Sequence, residues 1–372
     1  MDGDELAAAL TLLALPKAGG IAVTRLMDAA QSPLHALRLP RSQVETLGLR
    51  PETVAALVAL RGSPSTDALR QRDWMQDGGI RLLARSDAAF PPLLRQIARP
   101  PPFLFVQGSE AALLAPQIAV VGSRKPTPAG REFAAELASG LARYGLGITS
   151  GLAKGIDTAA HWGALGQGGR TVAVMGTGPD RIYPAANREL SLKLLASGGA
   201  LLTEYPPGTP PEAAHFPQRN RIISGMGLGV VVVEAALPSG SLSTATHAAE
   251  QGREVMAVPG PVRSPTSRGC HELLRNGAAL IETPEDVIRA LGDRFKPQPI
   301  VTHGHTSSPV TVPTRLDPQL QRVFAATSVL PGSVDELVSR TGLAAAEVAA
   351  AVVQLELAGL LETTPGGVAR LR

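Results

Sequence analysis

Short apolar segments alternate with helix-like segments over residues 80–292, and this alternation restricts the possible folds more than any other feature of the chain. Seven segments have the length and composition of buried strands: Ile118–Val121, Gly147–Thr149, Thr171–Met175, Ala200–Thr203, Gly229–Val233, Glu254–Val258 and Ala278–Ile281. Helices fit between them at Ala129–Tyr144, Ala186–Ser197, Ser243–Gln251 and Gly269–Asn276. Such alternation is typical of a parallel sheet with helices on both faces. We therefore predict an α/β fold with a Rossmann-like, doubly wound parallel sheet.

Two smaller units flank this predicted sheet. Residues 1–79 have helical periodicity, and the turn Pro16–Gly20 between the first two helices resembles a helix-hairpin-helix, with a plain helical bundle as the alternative. Residues 293–314 are rich in Pro, Ser, Thr and His without periodicity, which predicts a linker. Residues 315–372 contain helical segments followed by Gly366-Gly367, a pattern typical of a winged helix.

Composition and missing motifs exclude several classes of protein. The single cysteine, Cys270, excludes a disulfide framework and a multi-cysteine zinc site, so we expect no metal. None of the five lysines follows a glycine, which excludes a P-loop, and the first strand lacks the G-x-G-x-x-G sequence of NAD-binding folds. We expect no cofactor. No run of eighteen apolar residues suggests a membrane span, and the N-terminus lacks a signal-peptide pattern, so we expect a cytoplasmic protein.

Charge is distributed unevenly among the three units. The net charge is −1 over residues 1–79, +5 over 80–314 and −1 over 315–372, which together give the chain its net +3. A polyanion should therefore prefer the middle unit. Aromatic residues make up only 3% of the chain, so stacking on many rings is not expected.

Four predicted strands are each followed by a turn of small residues. Parallel strands end at the same edge of a sheet, where ligands bind, and glycine allows the backbone to approach a ligand closely. Helix N-termini at this edge can donate N–H groups to an anion. We predict a phosphate-binding edge, with these candidate residues from three of the turns: Gly122, Ser123, Arg124, Gly151, Lys154, Ser239, Gly240 and Ser241. The fourth turn is Gly176-Thr177-Gly178.

The segment Phe216–Arg221 places two arginines beside an asparagine. Arginine forks suit phosphate oxygens, but they also form ion pairs between elements, here with Glu204 or Glu234. We expect one of Arg219 and Arg221 to be structural and the other to face the ligand.

Asp157 and His161 have the helical spacing of an acid–base pair, but no nucleophile accompanies them. We favour a helix-end charge and a packed histidine.

These motifs together resemble the DprA family of DNA-processing proteins, also called Smf. The resemblance runs in order through about 170 residues, from Val121-Gly122-Ser123-Arg124 through SGLAKGIDTAAH (150–161), GTGPDRIYP (176–184), TEYPPG (203–208) and FPQRNRIISG (216–225) to EAALPSGSLSTATHAAEQGREVMAVPG (234–260). The chain departs from the family pattern in two places. Thr127–Gly130 stands where the family has Tyr-Gly, and Ser243 replaces an apolar residue.

The resemblance implies a function as well as a fold. Members bind single-stranded DNA cooperatively, protect incoming strands, load the RecA recombinase, and form homodimers through the Rossmann-like domain; none is known as a catalyst. It implies an N-terminal module like a sterile alpha motif and a C-terminal winged helix. By position, the implied DNA-binding residues are Gly122, Ser123, Arg124, Phe216, Arg219, Asn220 and Arg221.

Two other classes of function remain as alternatives. A nucleotide-binding or nucleotide-hydrolysing enzyme related to phosphoribohydrolases would use a P-G-G-x-G-T-x-x-E loop. The comparable segment here begins at Pro238–Thr244, and His247 stands at the position of the glutamate. A duplex-DNA regulator would use a basic winged helix, whereas this one is net −1, so we expect it to serve protein contacts or dimer packing.

Overall fold

The structure is a computed structural model that describes residues 1–297, 317–328, 332–364 and 367–370. The chain begins with six short helices that pack into one module. Asp2 and Ser65 cap the first and last of them by accepting hydrogen bonds from backbone N–H groups. The helices are α1 (Gly3–Leu13), α2 (Gly20–Ala30), α3 (Pro33–Leu37), α4 (Arg41–Thr46), α5 (Pro51–Ala59) and α6 (Thr66–Asp77).

A nine-stranded sheet follows. In space its strands have the order β1-β2-β6-β5-β4-β3-β7-β8-β9; β3 to β9 are parallel, and β1 and β2 form an antiparallel margin. The sequence analysis missed β1 and β2. The strands are β1 (Ile80–Ala84), β2 (Phe103–Gly108), β3 (Gln117–Val121), β4 (Gly147–Ser150), β5 (Thr171–Val174), β6 (Ala200–Thr203), β7 (Gly229–Val232), β8 (Glu254–Ala257) and β9 (Ala279–Leu280).

The direction of winding reverses between β3 and β7. The chain proceeds outward from β3 through β4 and β5 to β6, then returns to the other side of β3 and proceeds through β7 and β8 to β9. A reversal of this kind opens a crevice at the carboxyl ends of the two central strands. The predicted doubly wound α/β sheet is therefore confirmed.

Helices cover both faces of the sheet. Ile118 and Val120 of β3 pack toward α9, α10 and α15, whereas Ala119 and Val121 pack toward α12, α13 and α14. Val230–Val232 are fully buried, as their apolar sequence predicts. The helices are α7 (Pro92–Arg95), α8 (Glu110–Leu114), α9 (Pro128–Arg143), α10 (Ile156–Leu165), α11 (Arg188–Ala196), α12 (His215–Met226), α13 (Gly240–Glu250), α14 (Arg268–Arg275) and α15 (Pro284–Leu291).

The helical module shares its core with the sheet. Phe103 and Phe105 of β2 are buried against the same cluster as Leu10 and Leu26 of the module. The opposite face of β2 carries Leu104 and Val106 into the core beneath α12 and α13. The module therefore covers the outer strands of the sheet.

The C-terminal unit has three helices and a hairpin, as its sequence predicts. Helices α16 (Pro318–Ala326), α17 (Val334–Thr341) and α18 (Ala345–Leu357) precede the antiparallel strands β10 (Leu361–Thr364) and β11 (Gly367–Arg370). This is the winged helix. Most of the predicted linker, residues 298–314, lies outside the described residues. Its first two residues complete a single helical turn, Gly292–Arg294, after which Phe295 packs into the core beside α9 and α15.

Candidate nucleic-acid interface

The predicted turns meet at the carboxyl edge of the central strands. A Cβ atom added at Gly122 would lie 2.8 Å from Ile156 Cγ1 and 2.9 Å from the Glu234 carbonyl oxygen. Gly155 has φ +84°, and a Cβ there would overlap the Ser123 carbonyl oxygen. The turns after β3, β4 and β7 therefore pack backbone against backbone, which requires glycine at these two positions.

The loop between β4 and α10 is held from below by Asp157. Its carboxylate accepts hydrogen bonds from the N–H groups of Gly151 (3.0 Å) and Ala153 (3.3 Å). Ser150 Oγ donates to the Val120 carbonyl oxygen at 2.7 Å. Gly151 therefore does not offer a free N–H group to a phosphate, in contrast to the role expected from its turn. It shapes the loop instead.

Arg219 lies beneath this loop rather than on the surface. Its side chain is buried, its Nη1 donates to the Val174 carbonyl oxygen, and a Cβ on Gly151 would overlap the guanidinium. Burial lowers the pKa of Arg219 to about 10, and the nearby Asp157 carboxylate opposes that shift. Arg219 thus remains charged at neutral pH and supports the loop from within the fold.

Arg221 is committed to an internal ion pair. Its two terminal nitrogens contact the two carboxylate oxygens of Glu204 at 2.5 and 2.7 Å, and its Nε donates to the Arg99 carbonyl oxygen at 3.2 Å. This is one of the ion pairs considered from the sequence. Both arginines therefore have internal partners, which gives no support to the expectation that one of them faces the ligand.

Asn220 fixes the turn that precedes α13. Its side-chain amide donates to the Gly240 carbonyl oxygen at 3.1 Å and to Ser243 Oγ at 2.7 Å. Ser243, one of the departures from the family pattern, thus provides a hydrogen-bond acceptor for Asn220. Ser239 Oγ accepts from the Ser241 N–H at 3.3 Å, and the two hydroxyls are 2.7 Å apart. Nothing lies within 4 Å of a Cβ added at Gly240, so the start of α13 borders open space.

The other departure from the family pattern lies at the start of α9. Thr127 Oγ1 accepts a hydrogen bond from the Gly130 N–H at 3.0 Å and donates to Glu234 at 2.6 Å. Thr127 is therefore the N-cap of α9, and Glu234 connects this cap to the end of β7.

The free positive charges lie on the outer side of the same edge. Arg124 and Lys154 are exposed, and neither has an ion-pair partner among the described residues. The Arg124 guanidinium carbon lies 5.5 Å from the ring centroid of Phe216. Ser123 Oγ stabilises this turn by accepting from the Lys125 N–H at 3.1 Å.

A second ring accompanies Phe216. Tyr183 is 46% exposed, and its ring centroid lies 5.5 Å from that of Phe216, with an interplanar angle of 41°. The sequence analysis did not select Tyr183 as a site residue. Its position in GTGPDRIYP, directly after the turn that follows β5, is the signal that could have identified it. Exposed rings beside free cations can bind a single strand through both bases and phosphates.

We call the cavity beside these residues the edge groove. Its volume is about 730 Å³, and its lining includes Arg124, Lys154 and Thr158 of the sheet domain and Ser333 and Glu336 of the winged helix. Glu336 forms ion pairs with Arg131 of α9 and with Arg340 of its own helix. The winged helix therefore contacts the sheet domain beside the candidate interface.

His161 does not form an acid–base pair at the surface. It is fully buried, and its Nδ1 lies 2.7 Å from Thr171 Oγ1, which itself donates to the Ile148 carbonyl oxygen. Burial, with a smaller contribution from Arg219, lowers the pKa of His161 to about 3. It is a packed histidine.

Within the described ranges no three His, Cys, Asp or Glu side chains are arranged to hold a metal ion, and no helix is long and apolar enough to cross a membrane.

Comparison with known proteins gives matches over most of the chain. The sequence model described as DNA recombination-mediator protein A matches residues 81–292, and the DprA winged helix domain matches residues 307–367. Protein Smf of Escherichia coli is 41% identical over 299 residues, which cover 80% of this chain and 79% of the relative. The DNA processing protein DprA of Streptococcus pneumoniae is 46% identical over 202 residues, which cover 54% of this chain and 71% of the relative.

Solved structures agree with these matches. The X-ray structure of DprA from Streptococcus pneumoniae superposes with a TM-score of 0.64 at 34% identity, covering 78% of this chain and 98% of the other. DNA processing protein A from Helicobacter pylori, described with its single-stranded DNA binding mode, superposes with a TM-score of 0.52 at 29% identity, covering 58% of this chain and 97% of the other.

Proposed function

The chain belongs to the DNA recombination-mediator protein A family, and from that premise we propose that it binds single-stranded DNA at the carboxyl edge of its sheet. The observation that carries this proposal is the group of Arg124, Phe216 and Tyr183. It combines an unpaired cation with two partly exposed rings. In this proposal Arg124 and Lys154 bind phosphates, and the two rings stack on bases.

The other residues predicted for the site have positioning roles in this proposal. Arg219 supports the Gly151 loop, Asn220 holds the Gly240 turn, and Arg221 joins α12 to the end of β6. Ser123, Ser239 and Ser241 stabilise their own turns. The start of α13 at Gly240 remains a candidate phosphate contact, because it borders open space and a helix N-terminus attracts anions.

We propose that the bound strand serves recombination and is not a substrate. The protein would protect incoming or exposed strands in the cytoplasm and help load the RecA recombinase onto them. Binding is favoured over hydrolysis because His247 occupies the position that a glutamate has in phosphoribohydrolases, and its Nδ1 lies 3.2 Å from Glu250 Oε2. Asp157 and His161 are buried and hydrogen-bonded within the fold.

A base-stacking assay distinguishes single-strand binding at this site from duplex binding and from nucleotide hydrolysis. Fluorescence of a single-stranded oligonucleotide that contains 2-aminopurine should be quenched on binding. Tyr183→Ala and Phe216→Ala should each weaken binding by about 1–3 kcal/mol and reduce the quenching. The matched controls Tyr183→Phe and Phe216→Tyr keep the rings and should preserve both.

Three outcomes would contradict the proposal. These are a preference for duplex over single strands in the same titration, quenching that is unaffected by loss of either ring, and release of free base from added nucleotides. RecA loading has its own readout, which is the lag before RecA-dependent strand exchange on strands coated with single-strand binding protein. The chain should shorten this lag, and an unchanged lag would restrict the function to binding.

A further inference from the structure

A second groove crosses the sheet edge on the far side of β6. We call it the module groove; its volume is about 980 Å³. One wall is the α1–α2 turn and the start of α2, which includes Gly19, Gly20 and Arg25. The opposite wall includes Arg99, Tyr205 and Gln218 of the sheet domain. The groove therefore lies between the helical module and the domain that carries the candidate interface.

The module groove begins where the candidate interface ends. Phe216, whose ring lies below Arg124, and Gln218, which lines the module groove, both belong to the first turn of α12. Tyr205 follows the end of β6, the parallel neighbour of β5, so it lies at the same carboxyl edge. The Tyr205 hydroxyl contacts the His215 carbonyl oxygen at 3.3 Å and Gln218 Oε1 at 3.4 Å, so the first turn of α12 borders both the candidate interface and the module groove.

The charges that line the module groove favour a polyanion. Its two carboxylates each have a guanidinium partner, since Glu204 pairs with Arg221 and Asp28 pairs with Arg85. Within the described part of the chain, Arg25 donates hydrogen bonds only to the carbonyl oxygens of Leu47 and Gly48, at 3.1 and 2.9 Å.

Arg99 is exposed, and its side chain has no partner in the described part of the chain. Arg25 and Arg99 therefore leave an uncompensated positive charge, although the module as a whole is net −1. No side chain caps the start of α2, where an anion is favoured by the helix dipole, and the N–H groups of Ala22 and Val23 donate to the Gly19 carbonyl oxygen at 2.8 and 3.3 Å.

We propose that a single strand bound at the carboxyl edge continues into the module groove, so that the helical module contributes a second segment of the DNA-binding surface. The inference rests on the proposed function and extends it. Arg99 and Arg25 contact phosphates there, and the α1–α2 turn borders the strand. The contacts are to the backbone of the strand, so this segment does not read sequence.

The test is a length series of single-stranded oligonucleotides measured by fluorescence anisotropy with three proteins. For the native chain, affinity should continue to rise with length after the central site at Arg124 is filled. Arg99→Glu should leave the shortest bound oligonucleotides unaffected and weaken the longest on the order of tenfold. Arg50→Glu is the charge-reversal control, because Arg50 is exposed on the helical module but does not line the groove.

Each outcome decides the inference. Equal losses at all lengths, no loss at any length, or the same loss in Arg50→Glu would overturn it. If the native chain binds no single strand, the proposed function fails first. If the charge reversal prevents folding, Arg99→Gln removes the charge without reversing it and should show a smaller loss with the same dependence on length. A photoreactive thymidine near one end of a long strand should crosslink to residues 16–25, and its absence from that segment would also contradict the inference.

Discussion

Three arginines at this site have three different environments, and burial separates their roles. Arg124 is exposed over a ring, Arg221 pairs with Glu204, and Arg219 is buried beneath a glycine loop. A buried guanidinium cannot reach a phosphate without breaking internal contacts, so only Arg124 is free to bind one. The sequence specifies the residue type at each position, but the direction of each side chain depends on contacts between distant segments.

The buried His161 should make the fold sensitive to acid. Its pKa is about 3 in the folded chain and 6.5 when unfolded, so below pH 6.5 the unfolded chain takes up a proton that the folded chain does not. Stability is therefore unaffected above pH 6.5 and falls as pH decreases toward 3. The loss is about 1.4 kcal/mol per pH unit, or about 2.7 kcal/mol at pH 4.5.

Denaturant unfolding of the native chain and of His161→Gln at pH 7.5 and pH 4.5 measures this effect. Between pH 7.5 and pH 4.5, the free energy of unfolding of the native chain should fall by about 2.7 kcal/mol more than that of His161→Gln. His35→Gln is the control, because His35 is exposed. Parallel pH profiles for the native chain and His161→Gln would contradict the assignment.

Helices α9 and α10 pack so closely that one of them requires glycine. A Cβ at Gly163 would overlap the backbone carbonyl of Ala135 on α9. Alanine normally stabilises a helix interior by about 0.5–1 kcal/mol relative to glycine. At this crossing the helices would have to move apart, and overpacking of this kind costs about 1–3 kcal/mol. We expect Gly163→Ala to lower the free energy of unfolding.

The matched control for this prediction is Gly3→Ala. Gly3 is the first residue of α1, and a Cβ there would meet the side chains of Arg72 and Gln76 at ordinary distances of 3.7 and 4.0 Å. Chemical denaturation should show a loss for Gly163→Ala and no loss for Gly3→Ala. Equal stability of the two variants would show that the α9–α10 contact can relax without cost.

The sequence predicted the parallel strands and their turns because a doubly buried strand and a glycine turn are both local signals. It missed β1 and β2, where short apolar segments alone do not distinguish strand from helix. It also missed α12, because Pro217 and the polar run Arg219–Arg221 interrupt the apolar periodicity that would predict a helix. Proline is tolerated there because it lies in the first turn. Tyr183 becomes a site residue only through its contact with Phe216, which no local pattern encodes.

The described sheet ends at two edge strands, β1 on one side and β9 on the other. Strand β9 has two residues and no neighbour on its outer side within the described sheet, and Leu280 is 50% exposed there. An apolar side chain on an open strand edge favours association with another copy. We propose that the homodimer expected of the family forms at this edge, with the DNA interface on the carboxyl edge left open.

Leu280→Arg should therefore yield a monomer. Light scattering after size exclusion would report the mass, and we expect the native chain to be a dimer at micromolar concentration. The control Leu192→Arg changes another exposed leucine, on α11, and should remain a dimer. A native monomer, or a Leu280→Arg dimer, would contradict this interface.

The central claim is that a single strand binds at Arg124 through its phosphates. Anisotropy of a labelled single strand at two salt concentrations, for the native chain and Arg124→Ala, tests it most directly. Arg170→Ala is the matched control, because Arg170 is exposed immediately before β5, at the opposite edge of the sheet. We predict salt-sensitive binding that Arg124→Ala weakens strongly, with a salt slope reduced by about 0.7, and that Arg170→Ala leaves unchanged. Binding equally strong in all three proteins would contradict the account.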